Sequence, residues 1–189
     1  MPPDGYRYQE EFLTQEEEAQ LLGQFAALPF HFAPYREWQA RRRIVSFGGA
    51  YDFSQRELKE APPVPDFLLP YRERAAGWAH LSAGDFNHAT VTEYAPGTPL
   101  GWHRDVPDFE EVIGISLKGT ARMRFRPYPP PKHQRTVFSI ELAPRSIYLM
   151  QGPARWAWQH AISPTKELRY SLTLRSRRRQ RPGGEAPRR

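Results

Sequence analysis

His103 and Asp105 stand two positions apart in the stretch Tyr94-Ala-Pro-Gly-Thr-Pro-Leu100-Gly-Trp102-His-Arg-Asp105. On an extended segment both side chains project from one face, so an imidazole nitrogen and a carboxylate oxygen can share a metal ion. His160, far along the chain in Trp156-Ala-Trp-Gln-His160, is the candidate third ligand. Two imidazoles and one carboxylate leave three coordination positions open, the usual holder of a non-haem Fe(II) that must also bind a cosubstrate and O2. A single His-x-acid is a weak signal. With six histidines and 21 acidic residues in 189 positions, chance alone gives one about half the time.

The company of the motif gives it weight. In Arg169-Tyr-Ser-Leu-Thr-Leu-Arg175, strand alternation puts Arg169, Ser171, Thr173 and Arg175 on one face and Tyr170, Leu172 and Leu174 on the other. One reading is a solvent-facing edge strand, common in antiparallel sheets. The other is an anion pocket. A dicarboxylate such as 2-oxoglutarate needs an Arg able to grip a carboxylate with two donors, with a hydroxyl beside it, a contact that contributes about 1.5–3 kcal/mol and fixes orientation. A lone histidine near tryptophans is more often a packed core residue. Between a His-x-Asp segment and this arginine strand, ligation is the better reading of His160.

The positioning elements follow from periodicity. Tyr6 to Phe12 reads as a short strand, and Thr14-Gln-Glu-Glu17 is a capping box opening a helix that Pro29 ends. His31, in the aromatic stretch Phe30 to Trp38, reads as core or edge-strand packing, and Ile44-Val-Ser-Phe-Gly-Gly as a strand closed by a glycine turn. Asp66 is a plausible N-cap for a second helix reaching His80, but Pro70 demands a kink or a later start. From His88 onward the chain is strand after strand: His88–Tyr94, Val112–Leu117, Ala121–Tyr128, Thr136–Leu142, Ser146–Met150, Trp156–Ala161 and Arg169–Arg175. Seven short strands after two helices predict a mainly β, α+β architecture, a β-sandwich or jelly roll with the N-terminal helices packed on one sheet. An immunoglobulin-like sandwich is the alternative, disfavoured by helices coming first.

Length allows one domain with a sizeable core. Cysteine is absent, which excludes disulfides, thiol nucleophiles and cysteine-ligated metals. The N-terminus has no apolar signal core, and no run approaches the roughly 18 apolar residues of a membrane span, so a cytoplasmic protein that avoids membranes is expected. Of the net charge of +6, most sits in the last fourteen residues, with six arginines and one glutamate after Arg175. That tail has nothing to bury and is expected to be disordered, either as a solubilising end or as an arm for phosphate backbones. The expected organisation is an N-terminal extension, residues 1–85, within the same domain and a candidate lid, a catalytic core at 86–176, and a basic tail at 177–189.

Together, Tyr94-Ala-Pro-Gly with Leu100 and His103-x-Asp105, Ile115-Ser116-Leu117, Gly152-Pro-x-Arg155, His160 and the Arg169–Arg175 strand resemble the AlkB family of Fe(II)/2-oxoglutarate dioxygenases. The likeness covers about residues 86–176, and more weakly Arg41 to Ala75. It implies a double-stranded β-helix with His103, Asp105 and His160 on iron. It implies Arg169 and Tyr94 on the distal carboxylate of 2-oxoglutarate, and Arg175 near the carboxylate beside the keto group. The expected cosubstrate set is Tyr94, Leu100, Ser116, Arg169, Ser171, Thr173 and Arg175, and the cofactors are Fe(II), 2-oxoglutarate and O2. Two positions depart from the family pattern: Thr92 stands where many members have Asn, and Pro107, followed by Asp108, where an acid often faces the target base.

The activity implied is oxidative dealkylation of N-alkylated bases in DNA or RNA by a monomer. The same chemistry on transfer RNA or on a methylated protein, or a metal-free jelly roll binding an acidic ligand, are the rivals. A target base must leave its stack, so Trp38, Phe47, Tyr51 and Trp102 are candidate stacking surfaces, each with core packing as its plainer role. Arg41, Arg42 and Arg43 are candidates for phosphate contacts and Asp108 for the base.

Overall fold

The computed structural model describes residues 1–35, 38–52, 57–130 and 138–178. In chain order the elements are β1 (Tyr6–Gln9), α1 (Gln15–Ala26), β2 (His31–Tyr35), β3 (Trp38–Phe47), β4 (Ala50–Asp52), β5 (Glu57–Lys59), α2 (Leu69–Ala79), β6 (His88–Tyr94) and β7 (Leu100–His103). There follow β8 (Phe109–Leu117), β9 (Ala121–Pro127), β10 (Phe138–Leu142), β11 (Ile147–Met150), α3 (Gly152–Trp156), β12 (Trp158–Ile162) and β13 (Arg169–Arg177).

Local chemistry sets the boundaries. The Thr14 hydroxyl accepts from the Glu17 N–H while the Glu17 carboxylate accepts from the Thr14 N–H, so two otherwise orphaned donors start α1. Proline cannot serve deep in a helix, because it lacks an N–H and its ring strikes the preceding turn. The chain therefore makes a tight turn at Asp66–Leu68 and begins α2 at Leu69, with Pro70 in the first turn. This is the later start that the sequence demanded. The helix ends where His80 turns left-handed, φ 60°. His31 lies exposed on the edge strand β2.

Two antiparallel sheets face each other. The larger has the order β1-β11-β8-β13-β6-β3-β2 and the smaller β10-β9-β12-β7, while β4 and β5 form a separate hairpin. The first 85 residues thus supply three strands of the larger sheet as well as both longer helices. On the outer side of that sheet, Leu172 and Leu174 of β13 join Ile113, Ile115, Val91 and Phe47 against Leu21 and Phe25 of α1 and Ala75, Ala76 and Ala79 of α2. Each such aliphatic or aromatic side chain contributes about 1.5–3 kcal/mol by leaving water. Between the sheets a second cluster holds Met123, Phe125, Val112, Tyr148 and Ile162. This is the jelly-roll arrangement expected, with the helices on one sheet. Among the described residues no helix is long and apolar enough to cross a membrane.

Placing β13 at the centre of the larger sheet settles the choice between edge and pocket. Arg169 is 1% exposed, Ser171 4% and Thr173 8%, so this polar face looks into the space between the sheets rather than into bulk water.

Candidate metal and cosubstrate site

The arrangement is built from five strands, β6, β7, β8, β12 and β13, and one loop. His160 on β12 lies opposite His103 on β7 in register, and the pairing is irregular between His160 and Ile162, where a bulge falls in β7. The bulge lets both Leu100 and His103 face inward. The two imidazole centroids are 4.1 Å apart. Asp105 follows in the loop leading to β8, and the candidate ligand atoms of His103, Asp105 and His160 all lie within 4.8 Å of one another.

Two of the three ligands are oriented by partners. The backbone carbonyl of Gly101 lies 2.9 Å from His103 Nδ1; with Nδ1–H donating, Nε2 keeps its lone pair for a metal. Arg175 Nε donates to Asp105 Oδ1 at 3.0 Å, and its Nη1 donates to Thr90 Oγ1 at 3.1 Å. Asp105 Oδ2, 3.6 Å from His160 Nε2, is buried and has no hydrogen-bond partner. A buried carboxylate oxygen without a partner is costly, and a cation among the three side chains would satisfy it. The donor set fits iron.

The electrostatics agree. Burial would raise the Asp105 carboxyl, but Arg175, His160 and His103 outweigh it and hold the group well below the ordinary carboxylate range. Burial, with His103 alongside, pushes His160 down to about 3, and burial also lowers His103. Both imidazoles are therefore neutral and the acid ionised at pH 7, the protonation states that metal binding requires.

These shifts also make the metal-free protein sensitive to acid. Burial lowers His88 to about 4, helped by Arg177 and Arg175. In the unfolded chain His88 and His160 titrate near 6.5, so below that pH the unfolded state takes up protons that the folded state refuses. Stability is then lost as pH falls from 6.5 toward 4, at about 1.4 kcal/mol per histidine per unit. Urea unfolding of the metal-free protein should show a midpoint clearly lower at pH 5 than at pH 7.5, and an unchanged midpoint would remove these shifts from the account.

Arg169, opposite Tyr94 in the β13–β6 register, has its guanidinium 5.1 Å from the Tyr94 ring centroid. Its Nε donates to Ser116 Oγ at 3.0 Å, which uses one of five donors. No carboxylate pairs with it among the described residues. A fully buried guanidinium without a counter-charge is a receptor for an anion. Ser171 faces Ser116 and Thr92, and Thr173 faces Gly114 and Thr90, so hydroxyls line the space between Arg169 and Asp105. Leu100 is half-buried against the inter-sheet cluster.

Sequence reasoning left three contributors without a role. Arg155, 2% exposed, donates to the carbonyls of Val106 and Phe109 at 2.6 and 2.9 Å and so braces the loop that carries Asp105. The Gly152-Pro-x-Arg motif was its signal. Arg155→Met should weaken Fe(II) binding about 10–100-fold, the usual range for a partner that orients a ligand, with cosubstrate-independent folding retained in circular dichroism. Tyr148, its hydroxyl pushed up to about 12 chiefly by burial, lies over Gly114, where any Cβ would collide with its ring. Gly114→Ala should therefore displace Tyr148 and cost about 1–3 kcal/mol in urea unfolding. Thr90, which fixes Arg175, carried no signal beyond its strand.

The structure divides the substrate candidates. Along β3, alternation splits the arginine run. Arg43 faces the helix side, bound to Glu93 by two hydrogen bonds of 2.7 and 2.9 Å, and so is not at the metal site. Arg42 lies on the opposite face and is close enough to His103 to lower its pKa, while Arg41 is exposed. Phe47, 7% exposed, is core under the helices rather than a stacking surface. The Trp102 ring lies beneath the Arg124 and Arg126 guanidiniums, 5.0 and 4.5 Å away, on the outer face of the smaller sheet, away from the metal ligands. Asp108 is exposed in the turn before β8. Trp38 and Tyr51 fall on β3 and β4, but their side chains lie outside the described residues, as does the tail beyond residue 178.

The family model of the 2OG-Fe(II) oxygenase superfamily matches residues 5–180. The chain belongs to this superfamily. It is an AlkB-like 2OG-Fe(II) oxygenase, a dioxygenase whose cofactors are Fe(II), 2-oxoglutarate and O2. It is similar to the Arabidopsis thaliana "Alkylated DNA repair protein ALKBH8 homolog", 30% identical over 89% of this chain and 54% of that protein. It is also similar to the Danio rerio "Probable RNA/DNA demethylase ALKBH6", 26% identical over 85% of this chain and 70% of that one. The chain thus spans about half the length of the Arabidopsis relative. The solved structure of OsALKBH1 superposes with a TM-score of 0.72 at 16% identity, over 93% of this chain and 99% of that one. A Pseudomonas putida prolyl-4-hydroxylase gives 0.62 at 16%, over 93% and 94%. These two likenesses show the oxygenase's double-stranded β-helix fold.

Proposed function

We propose that this oxygenase removes alkyl groups oxidatively from N-alkylated bases in DNA or RNA. Bound Fe(II), with 2-oxoglutarate and O2, supplies the oxidation that places a hydroxyl on the alkyl carbon, yielding succinate and CO2. The hydroxylated group then leaves as an aldehyde and restores the base N–H. His103, Asp105 and His160 would hold the iron. Arg169 would take the distal carboxylate of 2-oxoglutarate beside the Tyr94 ring, the hydroxyls of Ser116, Ser171 and Thr173 would line its path, and Leu100 would cover an apolar edge. Arg175 keeps Asp105 Oδ1 occupied and leaves Oδ2 free, so Oδ2 would be the oxygen available to iron, and Arg175 would lend positive charge to the carboxylate beside the keto group.

The observation that carries a nucleic-acid substrate is Arg42. It has no carboxylate partner among the described residues, and alternation along β3 puts it opposite Arg43, on the side of the larger sheet that carries Thr90 and Thr92, where an uncompensated cation suits a target nucleotide's phosphate. The names of the relatives, an alkylated-DNA repair protein and a probable RNA/DNA demethylase, point the same way. Release of formaldehyde from methylated DNA, RNA and transfer-RNA oligonucleotides, set against methylated peptides, is the test. Turnover confined to oligonucleotides is expected. Turnover confined to peptides overturns the reading.

A further inference from the structure

The outer face of the smaller sheet carries four guanidiniums that the oxidation does not use. On β9, Arg122, Arg124 and Arg126 alternate with Met123 and Phe125, both fully buried between the sheets, so the three arginines point outward together. Arg104, just past the edge strand β7, lies with its guanidinium 3.8 Å from the centroid of Tyr128, a ring that is 42% exposed. Trp102 is held under Arg124 and Arg126. None of the four arginines forms an ion pair among the described residues. Their partners are neutral: Ser139 Oγ for Arg122, Gln159 Oε1 for Arg126 and the Trp156 carbonyl for Arg104. Arg124 Nε is buried and has no partner. The carboxylate in register with Arg122 is Glu141, and it forms no ion pair with that arginine.

We propose that this face is a docking surface for the sugar-phosphate backbone of a nucleic-acid strand. Charge complementarity selects the occupant: four cations face one acid, and alternate residues of a strand are about 6.7 Å apart, a spacing suited to successive phosphates along an extended chain. Stacking on Trp102 and Tyr128 fixes the guanidiniums before binding, which reduces the ordering cost of a contact and leaves their N–H edges for phosphate oxygens. The surface is continuous with the metal site. β7 is the edge of its sheet and carries His103 inward and Trp102 outward, so a strand with one base beside His103 passes round this edge onto the arginines.

The proposal rests on the nucleic-acid reading above, and binding separates the two. Fluorescence anisotropy of labelled, unmodified single-stranded DNA and RNA is measured against salt for the 189-residue chain, for Arg122→Gln/Arg124→Gln/Arg126→Gln and for the matching triple Lys variant. Three lost phosphate contacts should reduce the slope of log K against log salt by about 2 and weaken binding at least about tenfold, while the Lys variant keeps the slope and both keep the Fe(II)–2-oxoglutarate absorption band. As a check on wild type, bound oligonucleotide should protect Arg122 and Arg126 from phenylglyoxal, read by mass spectrometry. An unchanged slope in the Gln variant, or full modification under saturating oligonucleotide, overturns the surface while demethylation stands. Wild type that binds phosphatidylserine vesicles but no oligonucleotide also overturns it, and turnover confined to peptides would then remove both readings.

Discussion

Asp105→Ala should abolish the visible charge-transfer band that Fe(II) and 2-oxoglutarate produce together in the absence of O2, and turnover with it. Changing a residue that merely orients a ligand costs about 10–100-fold, so loss of a ligand should exceed 100-fold. Two consequences of the substitution add up. The centre loses its one anionic donor, and Arg175, which now donates to Asp105 Oδ1 at 3.0 Å, is left beside neutral imidazoles as a partly buried cation repelling the incoming metal. Asp105→Asn isolates the first effect, because it keeps the shape and an acceptor for Arg175. A normal band in either variant would move the metal away from this triad.

Arg169→Met should have opposite effects on folding and on cosubstrate binding. Without cosubstrate, the buried guanidinium has only the Ser116 hydroxyl as a hydrogen-bond partner among the described residues, and removing an uncompensated charge from the interior is neutral or stabilising. The melting temperature of the cosubstrate-free protein should hold or rise, by roughly 2–4 °C per kcal/mol gained in a chain of this size. Binding of 2-oxoglutarate should collapse. Two charge-assisted hydrogen bonds at about 1.5–3 kcal/mol each correspond to roughly 10²–10⁴-fold in affinity. Thermal shift with and without 2-oxoglutarate reads both effects. A variant that melts lower and still gains stability from the cosubstrate would mean that the anion is held elsewhere.

Much of the fold was legible because its signals are local. The capping box at Thr14 and Glu17 closes within four residues, and the alternation of apolar and polar side chains along β13 can be read from seven residues. Boundaries were less accessible where neighbours decide them. Phe109 to Glu111 joined β8 because the facing end of β13 extends to Arg177, and the stretch before Trp158 became α3 rather than strand. Leu100–His103 carried too little β pattern to announce β7, since its edge position comes from pairing with β12.

The basic residues show the limit most clearly. Arg41-Arg42-Arg43 stands out as a run, yet alternation sends Arg43 to Glu93 and Arg42 toward His103. Arg122, Arg124 and Arg126, diluted by buried Met123 and Phe125, make a denser basic surface that no run announces.

The sequence by itself determined which groups are available: two imidazoles, one carboxylate and the arginines of an alternating strand, with spacings that allow a common centre. Only the tertiary structure decided that they meet. His103 and His160 come within reach because β7 and β12 pair in a register that is set by the whole sheet, and Arg169 is buried because β13 lies at the sheet's centre. Identity and alternation are properties of neighbouring residues, whereas convergence and burial depend on contacts between segments far apart in the chain.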